Sequence, residues 1–170
     1  MNTLPLFEEK VPRTETDERF TPKWIFDALG ETFDLDPASP VDAITHVPAS
    51  RVLTRIDDGL VHPWEGFVWC NPPFSNTTPW ADRFIAHAEV HEGGLFLGPF
   101  ANARWTQSML RAASAVWLMR DFPFDHPTHA GKRSSMPLAM YGFGTRALVA
   151  MQRAARLCPD AGTLVKAVAS

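Results

Sequence analysis

The sequence predicts an α/β fold, a mostly parallel sheet with helices on both faces. Three observations lead there. Short apolar runs alternate with longer stretches of helical period through most of the chain, the pattern of parallel strands joined by crossover helices. One run, Phe67-Val68-Trp69-Cys70, stops at Asn71-Pro72-Pro73, so a buried strand ends in a rigid turn. The 170 residues, 45% of them hydrophobic, suit a single core.

Residues 1–18 mix acid, proline and threonine without periodicity and are expected to form a flexible arm ahead of one domain, 19–170. Thr21-Pro22 followed by Trp24, Ile25, Phe26 and Leu29 predicts a helix with Thr21 as its N-cap, Pro22 at its first position and Gly30 as its stop. Phe33 to Ala38 predicts a strand ending in Asp36-Pro37-Ala38-Ser39. Val41 to Ala49 has no clear period, and Arg51 to Thr54 is the next strand, followed by the turn Asp57-Asp58-Gly59-Leu60.

Beyond the central run, Thr77-Thr78-Pro79-Trp80 caps a helix to about His91 with Trp80, Phe84 and Ala88 on one face, ended by Gly93-Gly94. Gly94 to Phe100 reads as a strand, Asn102 to Ala113 as a helix and Ala115 to Met119 as a further buried strand. Arg120 to Ser135 breaks the alternation with Pro123, Pro127, Gly131, Phe122, Phe124 and His126, and predicts a loop able to contact DNA. Pro137 to Phe143 is a late strand, and 145–157 a basic amphipathic helix.

Charge is unevenly spread. Residues 1–60 hold 6 basic and 12 acidic side chains, residues 101–157 hold 8 and 2. Nucleic-acid contacts are therefore expected from the second half, with Arg104, Arg120, Lys132 and Arg133 as candidates, although a solvated basic face gives the same count. No apolar run is long enough to span a membrane and the N-terminus lacks the features of a signal peptide, so a soluble, cytoplasmic protein is expected. Cys70 and Cys158 are too few for a disulfide framework. His126 and His129 beside Asp125 lack further ligands, and no metal is assigned. The oligomeric state is not fixed by the sequence.

The chemistry lies in Asn71-Pro72-Pro73-Phe74. A proline pair removes two N–H donors and fixes two φ angles, so the Asn71 amide oxygen and the Pro72 carbonyl form an acceptor-only pocket beside the flat Phe74 ring. Such a pocket suits a planar group bearing NH2, for example the exocyclic amine of adenine. Its acceptors would draw the amine hydrogens out of plane and stabilise charge developing on nitrogen as it attacks a methyl sulfonium. Phe74 would stack on a base that has left its duplex. A plain strand-ending turn is the competing reading. A cytosine-C5 methyl transfer would need a cysteine after a proline, whereas Cys70 precedes Asn71.

Asn71-Pro72-Pro73-Phe74 resembles the motif of amino-group methyltransferases that use S-adenosylmethionine. With Phe20-Thr21-Pro22, Phe33 to Ser39, Asp57 to Leu60 and Trp64, the stretch from 19 to 124 resembles the small phage-type DNA N6-adenine methyltransferases (Dam). The resemblance implies a Rossmann-like methyltransferase sheet closed by a late antiparallel strand, S-adenosyl-L-methionine as cofactor and DNA as partner. It places Thr21 and Pro22 by the cofactor's amino-acid end, Asp36 on its ammonium with Ala38 allowing close approach, and Asp58 and Leu60 by its adenosine. The glycine-rich turn usual after the first strand is missing. Taken alone, Thr21 is equally a cap; a surface turn is the competing reading for Asp36, behind the cofactor contact, and an ordinary Asp-Gly turn the competing reading for Asp58. Two other functions fit the same residues: methylation of a glutamine amide in a protein, and a catalytically silent DNA-binding protein.

Overall fold

Strands β1 (Phe33–Ser39), β2 (Ala49–Thr54), β3 (Val68–Cys70), β4 (Gly94–Pro99), β5 (Ala115–Met119), β6 (Leu138–Phe143) and β7 (Gly162–Lys166) make one mixed sheet in the order β2-β1-β3-β4-β6-β5-β7. The structure, a computed structural model, describes residues 19–41, 45–125, 134 and 136–166. The expected N-terminal arm lies outside the described residues, as do His126, His129, Lys132 and Arg133. β1 is parallel to β2 and β3, and β3 to β4; β6 is antiparallel to β4 and β5, and β7 to β5. β1 to β5 therefore run the same way and their carboxyl ends share one edge, with the expected late antiparallel strand inserted between β4 and β5. β7 is a second antiparallel strand that the sequence reading does not contain.

Helices α1 (Lys23–Leu29) and α4 (Gly144–Leu157) cover one face, where Ile25, Leu29, Ala147 and Met151 pack with Phe33, Trp69, Leu97 and Trp117. Helices α2 (Thr78–Ala88) and α3 (Arg104–Ala112) cover the other, where Trp80, Phe84, Trp105 and Met109 meet Val68, Cys70, Phe96 and Tyr141. Successive strand residues point to opposite faces, so a strand covered on both sides must be apolar throughout; that is why β3 and β4 read as unbroken apolar runs.

The helix ends correct some expectations. α1 starts one residue later than predicted: Pro22 is its N-cap, with no side-chain capping bond, and Thr21 is used elsewhere. Gly30 stops it at φ 61°, its N–H bonded to the Phe26 carbonyl at 2.9 Å. Glycine tolerates that left-handed conformation at no steric cost. α2 ends at Ala88, short of His91, although the His91 N–H still reaches the His87 carbonyl at 3.0 Å.

At the amino edge of the sheet, Arg146 ties three segments together. Its guanidinium bonds Glu31 at 2.9 Å, Glu92 at 3.1 Å and the Thr32 carbonyl at 3.0 Å, and lies 4.3 Å from the centre of the Phe67 ring. Burial alone would lower its pKa, but the bonds to Glu31 and Glu92 outweigh it and hold the guanidinium above its usual value.

Candidate active site

Asn71 is the first residue past β3 at the carboxyl edge. Its Nδ2 donates to the Arg19 carbonyl at 2.9 Å and to the Thr21 hydroxyl at 3.2 Å. A carbonyl can only accept, so the amide nitrogen must face Arg19 and Oδ1 must turn away. That oxygen is buried and has no hydrogen-bond partner. An unsatisfied buried acceptor costs about 1–3 kcal/mol, and at a strand end it marks a place for an incoming donor.

The proline turn is fastened from below. The Thr77 hydroxyl lies 3.5 Å from the Pro73 carbonyl and 3.4 Å from that of Phe74, and the Asn76 N–H reaches Pro73 at 3.4 Å. Pro72 and Pro73 are buried, and Phe74 opens a short 3-10 turn, Phe74–Asn76. Its ring meets Phe124 edge-on at 6.0 Å, and Phe124 meets Phe122 at 4.9 Å. The Arg19 guanidinium lies 4.5 Å from the Phe74 ring centre and 5.5 Å from that of Phe124. The Phe74 ring thus packs against Phe124 on its edge and carries a planar cation. An antiparallel bridge between Phe20 and Asp125, with the Asp125 N–H 2.9 Å from the Phe20 carbonyl, draws the start of the 120s loop to this cluster.

On the β1–β2 side, Asp36 is 2% exposed and its Oδ1 accepts the Ala38 N–H at 3.1 Å. β1 continues through Pro37 to Ser39, and its register with β2 slips between Asp36 and Ser39. The turn after β2 closes onto this bulge: a Cβ on Gly59 would lie 1.9 Å from the Pro37 carbonyl oxygen, so only glycine fits. Trp64 Nε1 fixes the turn by donating to the Gly59 carbonyl at 2.7 Å. Asp58 sits at φ 60° with its N–H on the Thr54 carbonyl at 3.1 Å, and Leu60 packs on the α2 side core. Asp57 closes β2, accepting from the Thr54 N–H and hydroxyl at 2.8 Å each; those bonds, the backbone one first, hold its carboxyl below the usual range.

Two groups thus stand side by side on adjacent strands. Asp36, Ala38, Asp58 and Leu60 gather at the ends of β1 and β2, and Asn71, Pro72, Phe74, Thr21 and Pro22 at the end of β3. Arg19 is a member the sequence reading lacks, and nothing near it in sequence signals its contact with Phe74. Arg104, the first residue of α3, is exposed; Arg120 follows β5, exposed, 3.7 Å from Asp121. A cavity of about 240 Å³ lined by Met119, Asp121, Phe122, Ser134, Met136, Pro137 and Leu138 opens at the end of β5, apart from Asn71 and Asp36. Among the described residues, no cluster of three or more histidine, cysteine or acidic side chains could hold a metal, and no helix is long and apolar enough to cross a membrane.

A family model described as DNA N-6-adenine-methyltransferase (Dam) matches residues 8–128, more than half of the chain. The chain belongs to the Dam family. The part of this Dam-family chain that matches holds Thr21, Asp36, Asp58 and the Asn71 to Phe74 turn; β6, α4 and β7 lie beyond it. The chain is similar to the DNA N-6-adenine-methyltransferase of Haemophilus phage HP1 (strain HP1c1), 24% identical over 108 residues, 61% of this chain and 62% of the phage protein. The match thus spans less than two thirds of that protein's length. No solved structure matches the chain.

Proposed function

We propose that this protein transfers a methyl group from S-adenosyl-L-methionine to the N6 amine of adenine in DNA, on a Rossmann-like methyltransferase fold. The buried, partnerless Oδ1 of Asn71 carries the reading, because a fixed acceptor beside an aromatic ring is what an aryl amine needs. Family membership and five strands that end at one edge support it.

The residues present fit the cofactor. A buried carboxylate at Asp36 suits an ammonium, Ala38 leaves room for close approach, and Thr21, Pro22, Asp58 and Leu60 complete the proposed wall. Thr21 accepts from Asn71 and still has its own hydroxyl proton to donate. When bound, the cofactor supplies the methyl group as a sulfonium. Asn71 Oδ1 and the Pro72 carbonyl accept the amine hydrogens, which orients the nitrogen lone pair and stabilises the positive charge that develops there. Phe74 stacks on the base, and the Arg19 guanidinium, also planar, moves aside for it. Arg104, Arg120, Lys132 and Arg133 contact DNA phosphates. The proposed setting is the cytoplasm of a host cell.

Purified protein incubated with labelled cofactor and unmethylated DNA, then digested to nucleosides, tests the proposal. Label on adenine supports it. Label on protein would favour a glutamine amide instead, and no label a silent DNA-binding protein.

A further inference from the structure

An adenine that enters a pocket around Asn71 must leave its stack, and the gap it leaves is energetically costly. The surface beside the pocket carries a side chain suited to fill it. Phe100 follows β4, the strand next to β3, and is 40% exposed despite its size. Cys70 pairs with Phe96, so Asn71 stands level with Leu97 and Phe100 extends three residues further, roughly 10 Å at the rise of a strand. Its N–H bonds the Pro137 carbonyl at 2.8 Å, which fixes its backbone beside Met136, itself 38% exposed. A large ring and a thioether are thus partly exposed on two hydrogen-bonded segments at the carboxyl edge.

Charge says what covers them. Arg104 opens the helix four residues after Phe100 and is exposed, with no ion pair among the described residues; Arg120 projects from the end of β5 on the same edge. Ile56 and Val61, also exposed at this edge, lie by Asp57 and Asp58, where Arg55 is offset, and Leu157 ends α4 where the chain turns into β7. Apolar surface flanked by exposed cations, one strand from the pocket, fits a polyanion whose interior is apolar. That describes an opened duplex step.

We propose that Phe100, backed by Met136, is the wedge that enters the duplex where the target adenine leaves, while Arg104 and Arg120 hold the flanking phosphates. Phe100 is then a positioning residue, needed only when the base begins in a stack. The proposal rests on the adenine reading above.

Native and heat-denatured unmethylated genomic DNA provide the test, with N6-methyladenine counted after digestion. Phe100→Ala should lower methylation of native DNA about tenfold, since apolar wedges offset unstacking, and leave denatured DNA within about twofold of wild type. Phe100→Leu should retain most of the native rate. Equal losses on both forms, or no loss on either, would overturn the wedge. Should wild type make no methyladenine on either form, the adenine reading falls, and thymine reactivity to permanganate in bound duplex decides about Phe100. Reactivity raised by wild type and not by Phe100→Ala would uphold the wedge; no difference between them would overturn it.

Discussion

Asn71 and Thr21 lie 50 positions apart in sequence, and the amide nitrogen of one is 3.2 Å from the hydroxyl of the other. Together with the Arg19 carbonyl, Thr21 makes the Asn71 amide directional, nitrogen inward and oxygen toward the pocket. Asn71→Ala should lower turnover by about 10²-fold or more, as loss of one preorganised polar partner does elsewhere. It should also cost about 1 kcal/mol of stability, because two hydrogen bonds go with it. Single-turnover methylation and thermal unfolding on the same variant check both, and near-wild-type turnover in a folded variant would sink the mechanism.

Asp36→Ala should weaken binding of S-adenosylhomocysteine by about 1.5–3 kcal/mol, the scale of a hydrogen bond to a charged group. Calorimetric titration in the presence of chelator measures it and also asks whether binding needs a divalent ion. Asp36→Asn keeps an acceptor for the Ala38 N–H and should separate cofactor binding from local folding. An unchanged affinity in both variants would place the cofactor elsewhere.

Removing Arg146 breaks its bonds to Glu31, Glu92 and Thr32 and its contact with Phe67. Arg146→Ala should cost about 2 kcal/mol, read as a lower urea midpoint, with methylation per folded molecule unchanged. Arg146→Lys should recover little, since an ammonium cannot reproduce the planar fork. A lysine variant as stable as wild type would contradict this account.

His87 links stability to pH. It is 5% exposed, its Nε2 lies 3.0 Å from the Gly66 carbonyl, and its ring packs near Trp64. Burial, opposed by the bond to Gly66, pushes its pKa below the ordinary value. The unfolded chain therefore takes up a proton near pH 6.5 that the folded chain resists, and stability present above that pH is lost as pH falls through it. Melting temperature should drop between pH 7.5 and 5.5, and less steeply in His87→Gln. Parallel profiles would remove His87 as the cause.

The strands β1 to β6 and all four helices were legible because apolar period and turn residues decide them locally. β7 was not: three of its five residues are exposed, Val165 at 50%, none is buried, and its place depends on pairing with β5. Thr21 shows a local rule losing to a distant partner, since its hydroxyl serves Asn71 and the helix begins without a side-chain cap. Asp-Gly at 58 and 59 read correctly as a turn, yet what demands glycine is the Pro37 carbonyl, which no local signal reveals. Asn71 was legible from its prolines; Arg19 over Phe74 joins segments that only the folded chain brings together.

The Arg146 clasp also bears on how such a protein diverges. It locks the amino edge of the sheet, while the candidate site and the proposed wedge gather at the opposite, carboxyl edge. Substitutions and insertions in the exposed turns of that edge leave the clasp intact. Target preference can therefore drift with little loss of stability.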